Sequence, residues 1–390
     1  MRSNNPTQPS FLYLAGFFLI AVNLRAALTC VGPLLDEIAS ATFISNTAAG
    51  ALNSLPLAMF ALCSPLARLD KRFGLEKMLL YALLILAGGT LLRSLGGAPL
   101  LFGGTMVLAA GIAVINVLMP SLIKRDFPLH IGNITTAYSV SFCFVAALAS
   151  GVAVPLARLL PGGWRGALAV WAVPAMVAVA VWWPTARKSA LPALATAPAK
   201  RAKSLWKYAL AWQITGFMGL QSLNFYVSIG WFPAYLQAQG VSPESSGWLM
   251  TLYQICSVAA GFSLPFLVRK TRDQRALATI VSLMLALSAL GLLLAPNWAA
   301  LWLIIMGSGS GPCLLLSLMF IGMRAADHER AAALSVLAQS FGYVIAALGP
   351  FAFGAARELA GNWTIPFTGL AALALLQAAL GYKAGRNTTI

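Results

Sequence analysis

The chain has 390 residues, of which 59% are apolar and only 9% charged, with a mean hydropathy of +0.81. A water-soluble protein of this size carries far more surface charge, so the composition excludes that class and points to a polytopic membrane protein. The net charge of +16 follows the predicted membrane topology, not a nucleic-acid-binding patch.

Lipid admits only helix bundles and closed barrels, and apolar runs of ~20 residues or more select helices over short alternating strands. The tail at residues 1 to 10, MRSNNPTQPS, is polar and has no secretory cleavage pattern, so the first run is expected to persist as a helix. Apolar segments then fall at 11 to 36, 47 to 67, 77 to 95, 99 to 122, 133 to 157 and 165 to 184, and at 208 to 236, 244 to 267, 276 to 295, 298 to 323, 330 to 353 and 361 to 382. The fold class is therefore all-α, with twelve transmembrane helices in two pseudo-symmetric bundles, 11–184 and 208–383. The basic linker 185–207 (TARKSALPALATAPAKRAKSLW from Thr185) is expected to lie on the anionic inner leaflet, and residues 384–390 form a short tail.

An even number of spans puts both termini on one side. With that side inside, twenty-one of the 26 Lys and Arg face inward, against Arg93, Arg158, Arg165 and Arg357 outside. The positive-inside rule then predicts a multi-pass protein of the inner (plasma) membrane with both termini cytoplasmic. The halves echo each other. Gly50 and Gly247 open helices two and eight, RLDKR and VRKTRDQR follow them, and Trp164 and Trp363 precede helices six and twelve. Such repetition marks transporters, whose site lies between the halves near the midplane.

The first span carries Arg25 near its centre. A guanidinium does not deprotonate in proteins, and placing one at a helix centre costs about 2.5–3.5 kcal/mol on insertion scales, so it is expected to face a bundle interior or wet cavity. The ten carboxylates all fall at helix ends or in loops, and His130 and His328 fall in loops, so no mid-membrane acid or histidine is available as a partner or proton relay. Amides, aromatic faces, water or a solute remain. On helix seven Gln213, Gln221, Asn224 and Ser228 share one face by spacing, with Gln221 and Asn224 nearest mid-depth. Gln339 and Tyr343 on helix eleven, and Tyr253 and Gln254 on helix eight, complete the candidate solute-contacting set. Asn53, Asn116 and Tyr138 are candidate gate or vestibule residues, although helix packing explains each of them too.

In its loops and helices the chain resembles the major facilitator superfamily. The superfamily's Gly-x-x-x-Asp-Arg-x-Gly-Arg loop is present in degenerate form as ARLDKRFGLEK (67 to 77). Arg72 and Gly74 match, Ala67 and Leu75 depart, and Asp70 lies one place early with Lys71 in its column. Asp70, Arg72 and Gly74 are thereby candidate inner-gate residues. Within the superfamily the chain is similar to the cyanate and nitroimidazole transporter branch over LRAALTCVGPLLDEI (24 to 38), LNSLPLAMFALCSPLA (52 to 67), LLFGGT (100 to 105) and GIAVINVLMPSLIKRDFP (111 to 128). The resemblance implies that helices one, four, seven and ten line the cavity. It also implies a secondary transporter of a small anionic or heteroaromatic solute, with multidrug efflux or a non-transporting sensor as alternatives.

Other chemistries find no support. Cys30, Cys63, Cys143, Cys256 and Cys313 are scattered within spans and suggest neither disulfides nor a metal site. GSGSGP, from Gly307 to Pro312, lacks the strand before and the Lys-Ser/Thr after that make a phosphate loop, and is expected to allow close helix packing. No paired carboxylates or H-E-x-x-H motif supports an enzyme, and no cofactor is implied. The expected partners are a small solute and the bilayer, with no nucleic acid, and the chain is read as a monomer.

Overall fold

The computed structural model describes residues 11–127, 131–188, 205–326 and 328–390. The N-terminal tail, residues 189–204 of the linker, His130 and Asp327 lie outside the described residues. No strand occurs among the described residues, and the spans are α1 (Phe11–Thr42), α2 (Asn46–Cys63), α3 (Leu75–Leu92), α4 (Ala98–Asp126), α5 (Ile131–Leu159) and α6 (Trp164–Arg187) in the first half. The second half holds α7 (Ala209–Ala238), α8 (Pro243–Lys270), α9 (Arg275–Leu294), α10 (Ala299–Met323), α11 (His328–Ala360) and α12 (Thr364–Ala384). Twelve helices in two bundles thus match the sequence expectation.

Ten spans are apolar enough to cross a membrane on composition alone; α2 and α7 fall short of that. Burial explains α7. From Phe217 to Leu236 every residue except Phe225 is buried inside the protein. A helix without a lipid-facing side has no need of an apolar one, and this is where polar side chains gather.

One end of the molecule is basic. There Arg125 at the end of α4 pairs with Glu76 of α3 (2.6 Å) and with Asp126 (2.6 Å), Tyr13 of α1 donates to Asp126, and Trp182 of α6 donates to the Glu76 carbonyl (3.0 Å). In the second half, Arg324 after α10 donates to the Ala384 and Gly385 carbonyls (both 3.1 Å) and to Gln274 (2.5 Å). Carbonyls at a helix C-terminus are natural partners for such a cation.

The halves meet through α2 with α11 and α5 with α8, and the contacts gather at the opposite, less basic end. Ser54 accepts from the Phe351 amide (3.0 Å), the Thr47 amide donates to Glu358 (2.8 Å), Thr251 donates to the Ala147 carbonyl (2.7 Å), and Arg158 pairs with Glu244. Gly50 lies against the Pro350 backbone as Gly247 lies against that of Ser150. The sequence echo between these glycines therefore corresponds to two equivalent close approaches of backbone to backbone. Toward the basic end α2 and α11 flank, with α4, a cavity of about 390 Å³ lined by Phe60, Pro65, Asp70, Ser121, Gln339 and Tyr343.

The GSGSGP stretch does allow close packing. Gly307 sits against the Tyr253 carbonyl, Gly311 against that of Ser257, and Gly309 against that of Val281. By contrast, Gly322 on the same helix faces open space. A Cβ at position 311 forces α8 and α10 apart, an overpacking cost of about 1–3 kcal/mol. Gly311→Ala is expected to lower the unfolding temperature in detergent, whereas Gly322→Ala leaves it unchanged or slightly raised. Equal melting of the two variants would refute this account of the α8–α10 contact.

Candidate functional site

The first span is not the continuous helix expected from 11 to 36. It breaks at Asn23–Arg25, resumes as Ala26–Thr29, tightens into a 3-10 turn at Gly32–Leu34 and continues to Thr42. Asn23 holds the break open by donating its amide to the Leu19 (2.6 Å) and Pro174 (3.2 Å) carbonyls. Pro33 has no N–H to continue a regular helix, which accounts for the second irregularity. Freed from the helical repeat, Arg25 projects between the halves.

There it lines a cavity of about 100 Å³ with Phe142, Cys143 and Ala146 of α5, Met218, Gln221, Ser222, Phe225 and Tyr226 of α7, Gln254, Ser257 and Val258 of α8, Ser310, Gly311 and Leu314 of α10, and Tyr343 of α11. Arg25 Nη1 donates to the Tyr226 hydroxyl at 2.5 Å, and the guanidinium lies 5.7, 5.8 and 5.5 Å from the ring centres of Phe142, Phe225 and Tyr226. Each ring offers a negative face to the cation. Arg25 makes none of the ion pairs seen among the described residues. Helix α4, expected at the cavity wall, instead lines the larger cavity at the basic end through Val117, Leu118 and Ser121.

The candidate residues separate into groups. Arg25, Gln221, Gln254 and Tyr343 come together at the central cavity. Tyr343 also lines the basic-end cavity and packs on Phe60 (6.1 Å between ring centres), so it stands between the two spaces. Gln339 belongs to the basic-end cavity, exposed and bonded to Ser335 (2.8 Å). Tyr253 is buried one layer back, donating to Ser310 at 3.0 Å.

Asn224 turns away from the cavity. Its amide donates to the Leu220 carbonyl (2.9 Å) and to Gln377 of α12 (3.1 Å), and Gln377 continues to Ser282 (3.2 Å) and Cys313 (3.1 Å). Ser228 bonds the Asn224 carbonyl (2.7 Å), and Gln213 accepts from Arg386 at the basic end (3.4 Å). Of the four polar residues aligned by spacing on α7, only Gln221 reaches the cavity. The stripe that does so is Met218, Gln221, Ser222, Phe225 and Tyr226. Asn224 lies ~100° round the helix axis from Phe225, far enough to face α12. Tyr226 is the residue that a search for polar amides misses. Its signal in the sequence is an aromatic pair, Phe225–Tyr226, one turn from Gln221, which suits an arginine without a carboxylate.

Among the gate candidates, Tyr138 is buried against Phe17 (6.1 Å) and Phe142 (5.3 Å), backing a ring that touches Arg25. Asn116 is half-buried on α4 and lines neither cavity. Asp70 lines the basic-end cavity, the Arg72 guanidinium covers Phe73 (5.4 Å), and Gly74 turns the chain into α3 at φ 89°, a left-handed conformation that favours glycine. Asn53 lines a small third cavity, and so does Arg93, which is fully buried and not on the outer surface as its place in the sequence suggested.

This arrangement has relatives of known kind. The Major Facilitator Superfamily model matches residues 16–350. The 2-nitroimidazole transporter of Escherichia coli (strain K12) is 44% identical over 378 residues, 97% of this chain and 96% of that protein. The cyanate transport protein CynX of the same organism is 28% identical, covering 88% of this chain and 90% of its own length. Among solved structures, a bacterial homologue of the human lysosomal transporter Spinster, inward-facing and unoccupied, superposes with a TM-score of 0.79 over 99% of this chain and 98% of that one at 17% identity. The relatives are transporters and not enzymes, and the chain belongs to the Major Facilitator Superfamily, in the branch that holds the nitroimidazole and cyanate transporters.

Proposed function

We propose that the chain moves a small, planar, acceptor-rich solute, 2-nitroimidazole-like or cyanate-like, across the inner membrane by alternating access around Arg25. The observation that carries this reading is a permanent cation in an aromatic-lined cavity, in contact with a phenol and with no carboxylate. Such a cation favours the oxygens of a nitro group or the charge of a small anion, while the flat faces of Phe142 and Phe225 suit a planar ring. Gln221 and Gln254 add neutral hydrogen-bonding groups that orient the solute. At about 100 Å³ the cavity suits a solute of few heavy atoms. The 44% identity to a 2-nitroimidazole transporter supports the heteroaromatic side of this class, and the more distant likeness to a cyanate transport protein supports the anionic side.

In the proposed cycle the basic end is cytoplasmic, consistent with the positive-inside rule, and both termini lie there. The wide cavity at that end and the tight α2–α11 and α5–α8 contacts at the other correspond to an inward-facing state. Rocking of the halves about the Arg25 level then exposes the site to the other side. The working unit is the monomer. With no mid-membrane acid, a coupled proton travels on the solute itself.

Two results test this reading. In proteoliposomes, Arg25→Ala is expected to abolish saturable uptake of 2-nitroimidazole and of cyanate, and Arg25→Lys to reduce it at least ~10-fold, because an ammonium forfeits the planar fork and ring stacking. Normal saturable transport by a well-folded Arg25→Ala protein rejects the site. The second test separates contact from scaffold on one helix. Gln221→Leu should leave the unfolding temperature intact and raise KM, whereas Asn224→Leu should leave KM intact and destabilise the fold by about 0.6 kcal/mol or more through the stranded Gln377.

A further inference from the structure

Beyond the Arg25 cavity, on the side away from the basic end, lies a separate chamber of about 20 Å³ whose lining includes Asn53, Arg93, Thr105 and Tyr226. Tyr226 lines both spaces and is the partition between them. The walls are apolar apart from Asn53, Arg93, Thr105 and the Tyr226 phenol, and Thr105 is already bonded to the Leu101 carbonyl (2.7 Å).

Arg93 is fully buried. It donates Nη1 to the Ala27 carbonyl (2.7 Å) and Nη2 to Cys30 Sγ (3.8 Å), while its Nε has no partner. The Asn53 amide nitrogen is likewise buried without a partner. Arg324, the other deeply buried arginine, is held instead by two helix-terminal carbonyls and a glutamine oxygen. Arg93 carries its charge with one carbonyl and a thiol. A buried cation without a counter-charge is strongly disfavoured, and an unmatched buried donor adds to the cost. The two side chains that carry these unpaired donors, one of them permanently charged, line the same small space.

We infer that this chamber is an anion site, in which Arg93 Nε and Asn53 Nδ2 together hold one small, chloride-sized anion on the far side of Tyr226 from the solute cavity. Its size admits a single water-sized or slightly larger species. The inference does not depend on Arg25 contacting the transported solute.

The test is a titration of the purified full-length protein with chloride, replacing gluconate at constant ionic strength, read as unfolding temperature. Wild type is expected to gain stability saturably. Asn53→Leu, which leaves the Arg93–Ala27 bond in place, should shift the half-saturating chloride about tenfold upward. Arg93→Gln, which removes the permanent charge and keeps only a neutral amide, should lose the response, and Arg25→Lys should retain it. A flat wild-type titration overturns the inference. So does a response that survives Asn53→Leu unchanged, or one that vanishes with Arg25→Lys. If Arg93→Gln does not fold, Asn53→Leu alone decides. Failure of the transport reading would appear in solute uptake by the Arg25 variants and leave this titration unaffected.

Discussion

A permanent positive charge between two helical bundles, with no carboxylate to neutralise it, is the constraint on which the rest of this structure depends. Inserting such a group costs about 2.5–3.5 kcal/mol. The protein offsets that cost with one charge-assisted bond to Tyr226, about 1.5–3 kcal/mol net, and with three aromatic faces at ~0.5–2 kcal/mol each. Those contacts dictate local structure. Helix α1 breaks at Asn23–Arg25 so that the guanidinium can leave its own helix, and α7 is sealed off from lipid so that Phe225 and Tyr226 can meet it. Arg25 and Phe142 come from the first half, and Phe225 and Tyr226 from the second. The cation is therefore a joint between the halves as well as the floor of a cavity.

The two ends of the molecule solve the interface differently. At the less basic end, glycines bring α2 against α11 and α8 against α5 at backbone distance, and the Arg158–Glu244 pair closes the rim. At the basic end, charge clusters stay within each half. Arg125, Glu76, Asp126 and Tyr13 bind the first half to itself, while Arg324 and Gln274 do so in the second. Contacts inside a half survive relative motion of the halves, whereas contacts across them must be made and broken. Under the proposed cycle, the glycine contacts and the Arg158–Glu244 pair are the ones that open.

What the sequence disclosed follows from the physics that acts on single helices. Twelve spans, the half-repeat and the oddity of Arg25 all arise from the cost of polar groups in lipid, which is legible one segment at a time. Asn224 was misplaced because a helical face of amides is equally consistent with a wet cavity and with a dry neighbour, and its neighbour, Gln377, lies on α12, 153 positions away. The break in α1 was hidden for the same reason. Asn23 stabilises it by bonding Pro174 on α6, a contact with no trace in local composition. Arg93 looked like an outer-loop charge because it follows the last apolar residue of α3, yet its side chain turns inward to the Ala27 carbonyl.

Under the proposed function, Arg25 and Arg93 together also define what the protein rejects. They stand on either side of Tyr226, in spaces whose walls contain no acidic side chain. In a low-dielectric interior like charges are poorly screened, so an organic cation entering the Arg25 cavity meets a cost that aromatic stacking does not repay. Selectivity of this kind works by exclusion, and needs no snug fit to any one substrate. A cavity that repels cations and offers amides, phenols and flat rings is permissive toward planar neutral and anionic solutes. Nitroimidazole-like and cyanate-like solutes differ greatly in shape, and they share the one property that this field selects.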